Sequence, residues 1–214
     1  MSDDRAASYR RSMAVAAEPP PGAAAAGRLG DALRYLARVV AGSSAPDELL
    51  DEAAADVRAL AQGLEGHGEA SRYPQAERIG GPSGAFLTHP IIGITNPVAP
   101  PVAIRAEADE MVGRAVYGPQ FEGPPGYVHG GHIAAAFDVI LAATAGINGV
   151  GGLTKSLSVR YRKPAPLHTD LVYRGRIEEV TERATIVRGT LHSGEVLCAE
   201  AVGHFAYRAA LPAG

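Results

Sequence analysis

Residues 123–138 have the sequence G-P-P-G-Y-V-H-G-G-H-I-A-A-A-F-D, which combines a turn, a helix start and a carboxylate. The first four residues predict a rigid turn, and His129-Gly130-Gly131 leads into an alanine-rich helix of about 15 residues. Backbone N–H groups at a helix start lack helical partners and can bind an oxyanion, and glycine lets a carbonyl approach closely. Asp138 follows among apolar neighbours, where desolvation of a carboxylate is unfavourable unless it has a partner or a function. This combination is suited to acyl transfer.

Candidate strands flank this helix on both sides. Residues 102–109 and 112–118 predict a hairpin that turns at Glu110-Met111. Four further strands are predicted after the helix, at residues 155–163, 171–180, 183–192 and 195–208. The order β-β-α-β-β-β-β predicts an α+β fold, in which one helix lies against an antiparallel sheet, and argues against a doubly wound nucleotide-binding fold.

The N-terminal part of the chain has a different character. Residues 1–27 end in EPPPGAAAAG and predict a disordered Pro/Ala-rich lead. Residues 28–41 and 46–64 carry leucine and valine at helical spacing and predict two amphipathic helices. We therefore divide the chain into a lead (1–27), a helical appendage with its linker (28–84) and an α+β domain (85–210), and expect the leucine/valine stripes to pack on that domain or on a partner subunit.

Composition excludes several classes of function. The chain has 20 Lys and Arg against 23 Asp and Glu, so no basic excess is available for a phosphate backbone. The single cysteine, Cys198, excludes an intramolecular disulfide and a cysteine-based zinc cluster. No apolar run approaches the length of a membrane span, and the N-terminus lacks the apolar core of a signal peptide. We expect a cytoplasmic protein without nucleic-acid or membrane partners.

The histidines next to the glycines raise the alternative of a metal site. His129 and His132 stand three residues apart and suggest a metal pair, with Asp138 further along the helix. A zinc site needs a third well-placed ligand, and none is evident nearby, so we predict no metal and no cofactor.

The simplest alternative is that the glycine pair and Asp138 have only a structural role, because a Gly-Gly pair before a helix is usually a turn and an aspartate within a helix usually faces solvent.

The run G-P-P-G-Y-V-H-G-G-x6-D, followed by S-L-S-V-R-Y-R-K-P-A-P-L, resembles the hotdog-fold acyl-CoA thioesterases over about residues 86–208. The likeness is greatest to the PaaI-type branch and the human-type thioesterase superfamily members. Three features agree: the nine-residue offset from His129 to Asp138, the Pro-Pro-Gly turn and the basic strand end before Pro164. The resemblance implies a hotdog fold, an antiparallel sheet wrapped round one long helix, and hydrolysis of acyl-CoA to free acid and CoA.

The resemblance also implies roles for particular residues. Asp138 matches the general base or nucleophile, and the N–H of Gly130 matches the group that polarises the thioester carbonyl. His129 supports that arrangement, and Gly131 completes the Gly-Gly pair as a further candidate donor. Thr154, just before the central strand, matches an active-site polar residue of the closest branch.

Basic residues at the strand end are candidates for binding the substrate. Arg162 and Lys163 are expected to meet the phosphates of coenzyme A, and Arg160 belongs to the same cluster. Asn96 is the candidate for an asparagine found early in PaaI-type sites. Two other functions remain open on this fold: hydration or dehydration of an enoyl-CoA, and non-catalytic binding of an acyl-CoA.

Helical geometry predicts how the site is assembled. His129 and Asp138 are nine residues apart, which on one helix is about 13 Å and half a turn. One chain therefore cannot place both on one small substrate group. If both act, the carboxylate comes from one protomer and the Gly130 donor from another, in a homodimer or homotetramer with shared sites.

Overall fold

The computed structural model describes residues 20–67, 71–72, 75–77, 84–147 and 152–206, together with Ala7. The helices are α1 (Pro21–Ala41), α2 (Asp47–Leu64), α3 (Gly84–Leu87) and α4 (Gly130–Ile147), with a 3-10 turn at Pro119–Phe121. The strands are β1 (Val102–Glu107), β2 (Glu110–Ala115), β3 (Leu153–Tyr161), β4 (Leu171–Val180), β5 (Ala184–Ser193) and β6 (Val196–Ala206). From β1 onward, the predicted order β-β-α-β-β-β-β is confirmed.

The six strands form one antiparallel sheet in the order β1-β2-β4-β5-β6-β3, and the sheet wraps round α4. This is the hotdog arrangement. Glycines allow the close approach of helix and sheet: a Cβ at Gly113 would lie 2.6 Å from Ile140 Cδ1, and one at Gly189 would lie 2.8 Å from Leu141 Cδ2. The core is made by one face of α4 and the inward residues of the strands, including Phe137, Tyr173 and Phe205.

The core helix is longer and more apolar than expected. It spans 18 residues and is long and apolar enough, by length and composition, to cross a membrane. This corrects the expectation that no apolar run reaches that length. More than half of the helix is buried inside the protein, so the sheet that covers it explains its composition.

The first hairpin turns two residues earlier than predicted. Glu107 pairs with Glu110, so the turn is Ala108-Asp109 and not Glu110-Met111. Ala108 has φ 48°, the positive value that two-residue hairpin loops use. Glu110 belongs to β2, where its buried carboxylate forms ion pairs with Arg174 and Arg176 of β4.

The first helix also begins earlier than predicted. Because α1 starts at Pro21, residues 21–27 are helical and do not belong to a disordered lead. Proline suits the first position of a helix, and alanine has the highest helix propensity. The rest of the predicted lead, apart from Ala7 and residue 20, lies outside the described residues, as does most of the predicted linker.

The appendage contacts the domain through different residues than predicted. A Cβ at Gly30 would lie 2.9 Å from Ile94 O, and Arg34 donates hydrogen bonds to Ile94 O (3.1 Å) and Asn96 O (2.9 Å). Within one chain the leucine/valine stripe of α2 makes no such contact, since α2 buries no residue and its large apolar side chains stay exposed. The stripe of α1 is mixed, because Leu33 and Leu36 are half-buried and Val40 is exposed. Packing of the α2 stripe on a partner subunit stays a prediction.

Candidate active site

At the start of α4, a single backbone donor is left without a partner among the described residues. His129 caps the helix: its carbonyl accepts from His132 N–H (3.0 Å) and Ile133 N–H (3.4 Å), and its imidazole Nδ1 accepts from Gly131 N–H (3.0 Å). The imidazole thus does what Ser or Asp usually does at this position. The N–H of Gly131 is therefore already paired, and one of the two predicted glycine donors is not available. At this helix start, the N–H of Gly130 is the donor that has no partner among the described residues and can bind an incoming oxygen.

The predicted turn before the helix holds His129 in place. Gly123 N–H donates to Tyr127 O (2.9 Å), and Tyr127 N–H donates to Pro124 O (2.9 Å). His129 N–H in turn donates to Phe121 O (2.8 Å). A Cβ at Gly123 would lie 2.8 Å from His129 Cα, so only glycine fits at this crossing. The G-P-P-G segment is therefore a scaffold for the helix start.

Further along α4, Asp138 is half-buried and has a defined partner. The hydroxyl of Thr154 donates a hydrogen bond of 2.8 Å to Asp138 Oδ1. Hydrogen bonds to a carboxylate are among the stronger ones in proteins and restrict how the carboxylate turns. The structure therefore brings together two residues that the family resemblance identified separately.

A β-bulge explains how Thr154 reaches the helix. In a regular strand Thr154 would lie on the opposite face from Leu157, Val159 and Tyr161, because side chains alternate. The register between β3 and β6 shifts between Thr154 and Ser156, so that Thr154 pairs with Phe205. Phe205 belongs to the buried face of the sheet. The extra residue turns Thr154 onto the helix-facing side, as bulges near active sites commonly do.

A cleft of about 330 Å³ opens beside Gly130. It is lined by Pro124, Tyr127, Val128, Gly130, Ile133, Tyr161, Arg162, Lys163, Pro164 and Ala165. The predicted donor and two of the predicted basic residues thus share one cleft. Arg162 also binds Glu200 through Nε (2.8 Å) and Nη2 (2.6 Å), whereas no carboxylate of the described residues lies within salt-bridge distance of Lys163.

Two predicted binding residues lie elsewhere. Arg160 is not among the cleft residues, and it alternates with Val159 and Tyr161, which places it on the outer face of β3. The side chain of Asn96 organises its own loop, donating to Thr88 O (3.2 Å) and accepting from Val98 N–H (3.1 Å). Neither position supports the predicted contact with substrate.

Asp138 and Thr154 do not line the cleft at Gly130. Gly130 and Asp138 are eight residues apart on one helix, a rise of about 12 Å. Within one chain the donor and the carboxylate are therefore apart, and the carboxylate lies outside the donor's cleft. That a second protomer completes the site stays a prediction.

The electrostatic surroundings of Asp138 include a residue that the sequence did not single out. Burial and, to a lesser extent, Arg72 lower the pKa of His89, and the carboxylate of Asp138 opposes them. His89 follows α3, so the segment before β1 contributes to the field at the carboxylate. No motif or spacing connects the two residues in sequence, because tertiary packing alone brings this loop to the helix.

The second histidine of the motif belongs to an aromatic cluster. The ring of His132 packs edge-to-face on Phe121, with the ring centroids 4.9 Å apart. Burial and, to a lesser extent, the charge of His129 lower the pKa of His132.

No group of three or more His, Cys, Asp or Glu in the described part of the chain is placed to hold a metal ion.

The segment that contains the helix start and Asp138 is similar to known proteins. Residues 125–199 match the family model of the thioesterase superfamily. The match covers about a third of the chain. It includes the helix start, Asp138, Thr154 and the cleft residues from Tyr127 to Ala165.

Relatives and solved structures extend the comparison. Acyl-coenzyme A thioesterase THEM4 of Xenopus laevis is 33% identical over 90 residues, which are 41% of this chain and 40% of the relative. Human acyl-coenzyme A thioesterase THEM5 is 32% identical over 76 residues, which are 36% and 31%. The match thus spans less than half the length of these curated relatives. A crystal structure of a thioesterase superfamily protein aligns with a TM-score of 0.76 and 26% identity, covering 88% of this chain and 97% of that one.

Proposed function

We propose that the protein hydrolyses acyl-CoA thioesters to a free acid and CoA. The observation that carries the proposal is the pair of groups on α4: an unpaired N–H at Gly130 and a carboxylate at Asp138 held by Thr154. The curated relatives are named acyl-coenzyme A thioesterases, which supports the same reaction.

The two groups have complementary tasks in this reaction. Gly130 N–H donates to the thioester carbonyl oxygen and stabilises the negative charge that develops there. Asp138 either removes a proton from the attacking water or attacks the carbonyl carbon itself. In the first route water oxygen bonds to the carbonyl carbon, the C–S bond breaks and the CoA thiolate leaves. In the second route an Asp138 anhydride forms as the thiolate leaves, and water then hydrolyses it.

We propose that Lys163 is the main protein contact for the anionic part of CoA. It lines the cleft that contains Gly130, and none of the described carboxylates is close enough to neutralise it. Arg162 lines the same cleft, but Glu200 already binds its guanidinium. A phosphate would have to compete with Glu200 at Arg162 and with water alone at Lys163.

We also propose a homo-oligomer in which two protomers share each site. The single chain keeps Gly130 and Asp138 in separate half-sites, so a second copy is needed to complete either one. The edge strand β3 is a suitable contact, because β6 is its only strand neighbour among the described residues and unpaired strand edges readily bind another strand. Leu153 and Tyr161 on this strand are 60% and 52% exposed. A dimer is the smallest assembly that satisfies the geometry.

We also propose that the protein works in the cytoplasm without nucleic-acid or membrane partners. With 20 Lys and Arg against 23 Asp and Glu, the chain has no basic excess for binding a phosphate backbone.

The test is release of thiol from acyl-CoAs of increasing chain length and from aryl-CoAs. Wild-type protein should release CoA, and Asp138→Asn should lower the rate by about 10²–10⁴-fold, the usual effect of losing a general base. Asp170→Asn is the matched control, because Asp170 is an exposed aspartate outside the cleft and the helix. Addition of water to an enoyl-CoA without thiol release would support a hydratase, and binding without turnover would support a non-catalytic protein.

A further inference from the structure

The last residue of β3 contacts the backbone of the proposed donor directly. The hydroxyl of Tyr161 donates a hydrogen bond of 2.8 Å to Gly130 O. The tyrosine ring also covers the Cα of Gly130: a Cβ there would lie 3.1 Å from Cζ and Oη and 3.3 Å from Cε1 of Tyr161. Tyr161 therefore occupies the space that any side chain at position 130 would need.

This contact matters because glycine restricts its own backbone less than any other residue. The peptide group that carries Gly130 N–H is held on one side by His129, whose carbonyl accepts two helical hydrogen bonds. The following peptide group is held at its carbonyl by Tyr161. The φ and ψ angles of Gly130 connect these two peptide groups, so holding both groups restricts both angles. An oxyanion donor is effective only when its direction is set before the charge develops.

We propose that Tyr161 is a positioning residue for the oxyanion donor. Its hydroxyl and ring fix the backbone of Gly130, so that the N–H stays directed at the position of the thioester oxygen. The inference rests on the proposed function and extends it to a residue that makes no contact with the reacting atoms.

One strand then orients both halves of the chemistry. Thr154 near the start of β3 holds the carboxylate of Asp138, and Tyr161 at its end holds Gly130. The bulge after Thr154 lets both side chains lie on the same face of the strand. Because β3 is also the proposed contact between protomers, assembly and site geometry depend on the same element.

The test replaces Tyr161 by phenylalanine, which removes the hydroxyl and keeps the ring. Loss of one hydrogen bond that acts only on the donor should lower kcat about three- to tenfold and leave KM within about twofold. Tyr35→Phe, on the exposed face of α1, is the control and should change neither. In the same proteins, the backbone amide resonance of Gly130 and its hydrogen exchange should change in Tyr161→Phe alone.

Two results would overturn the inference. An unchanged kcat, or a raised KM with unchanged kcat, would make Tyr161 a structural or a substrate-binding residue. An unchanged Gly130 amide would show that the hydroxyl does not hold this backbone, whatever the rate. If the wild-type protein hydrolyses no acyl-CoA, the proposed function fails, and the amide measurement still tests the contact.

Discussion

Replacing Thr154 by valine tests the partnership between Thr154 and Asp138. Valine keeps the β-branched shape that suits a strand and removes only the hydroxyl. The wild-type hydroxyl donates to Asp138 Oδ1 at 2.8 Å. Without it the carboxylate loses the partner that orients it, while the fold of β3 should persist.

The expected magnitude follows from the exposure of the pair. Thr154 is exposed and Asp138 is half-buried, so water competes for this hydrogen bond. Competition from water should reduce the contribution of this hydrogen bond below the roughly 1.5–3 kcal/mol usual for bonds to charged groups. We expect about 1 kcal/mol, or about fivefold in rate. The effect acts through the carboxylate. In an Asp138→Asn background, Thr154→Val should therefore cost almost nothing, because coupled residues are non-additive.

The assay is steady-state thiol release by the wild type, both single variants and the double variant. Ser158→Ala is the control on the same strand, since Ser158 is exposed and lies on the opposite face from Val159. The reasoning is refuted if Thr154→Val is as fast as Ser158→Ala. It is refuted equally if the two substitutions multiply, which would mean that Thr154 acts independently of Asp138.

Three further predictions concern binding, the helix cap and pH. Lys163→Ala should raise KM several-fold and keep kcat, the sign of lost uniform binding, and steady-state kinetics would contradict this if kcat fell instead. His129→Asn keeps an acceptor for Gly131 N–H, whereas His129→Ala removes the cap and about 1 kcal/mol of stability. The asparagine variant should therefore keep more activity and a higher melting temperature than the alanine variant. Equal losses in the two variants would exclude a capping role for His129. Burial lowers the pKa of His89 and His132 below the usual 6.5, so these histidines bind protons more tightly in the unfolded chain than in the folded one. The free energy of unfolding should therefore fall as pH decreases through about 6.5. Thermal melts between about pH 8 and 5 should show a smaller decrease for His89→Gln, and an identical decrease would contradict the assignment.

The order of elements was predictable because it rests on strong local signals. Alternation in β3 to β6 and the turn residues between them indicated the strands, and 171–180 is observed as predicted. The hairpin turn was misplaced because its position depends on Glu110 pairing with Arg174 and Arg176, which lie on another strand. The start of α1 was missed because the prolines at its beginning suggested a break, although Pro21 opens a helix.

The site residues that belong to a local sequence motif were predictable. Those that only tertiary packing brings to the site were not. The pattern of His129, Gly130 and Asp138 indicated the donor and the carboxylate. Thr154 came from the family resemblance alone, because regular alternation would place it on the wrong face and the bulge cannot be read from one sequence. Tyr161 alternates with Arg160 and Arg162 in the sequence, which indicates only a side chain on one face of a strand. Nothing local shows that its hydroxyl reaches Gly130. His89 has no sequence signal at all.

The most direct test of the central claim is complementation between two inactive variants in one dimer. If each site takes Asp138 from one protomer and the His129-capped Gly130 donor from the other, a mixed dimer of His129→Ala and Asp138→Ala has one intact site and one that lacks both the His129 cap and the Asp138 carboxylate. With each homodimer strongly impaired and subunit exchange verified by co-purification of a tagged variant, acyl-CoA hydrolysis should recover to about a quarter of the wild-type rate. Mixed dimers that form and remain inactive would contradict the shared site.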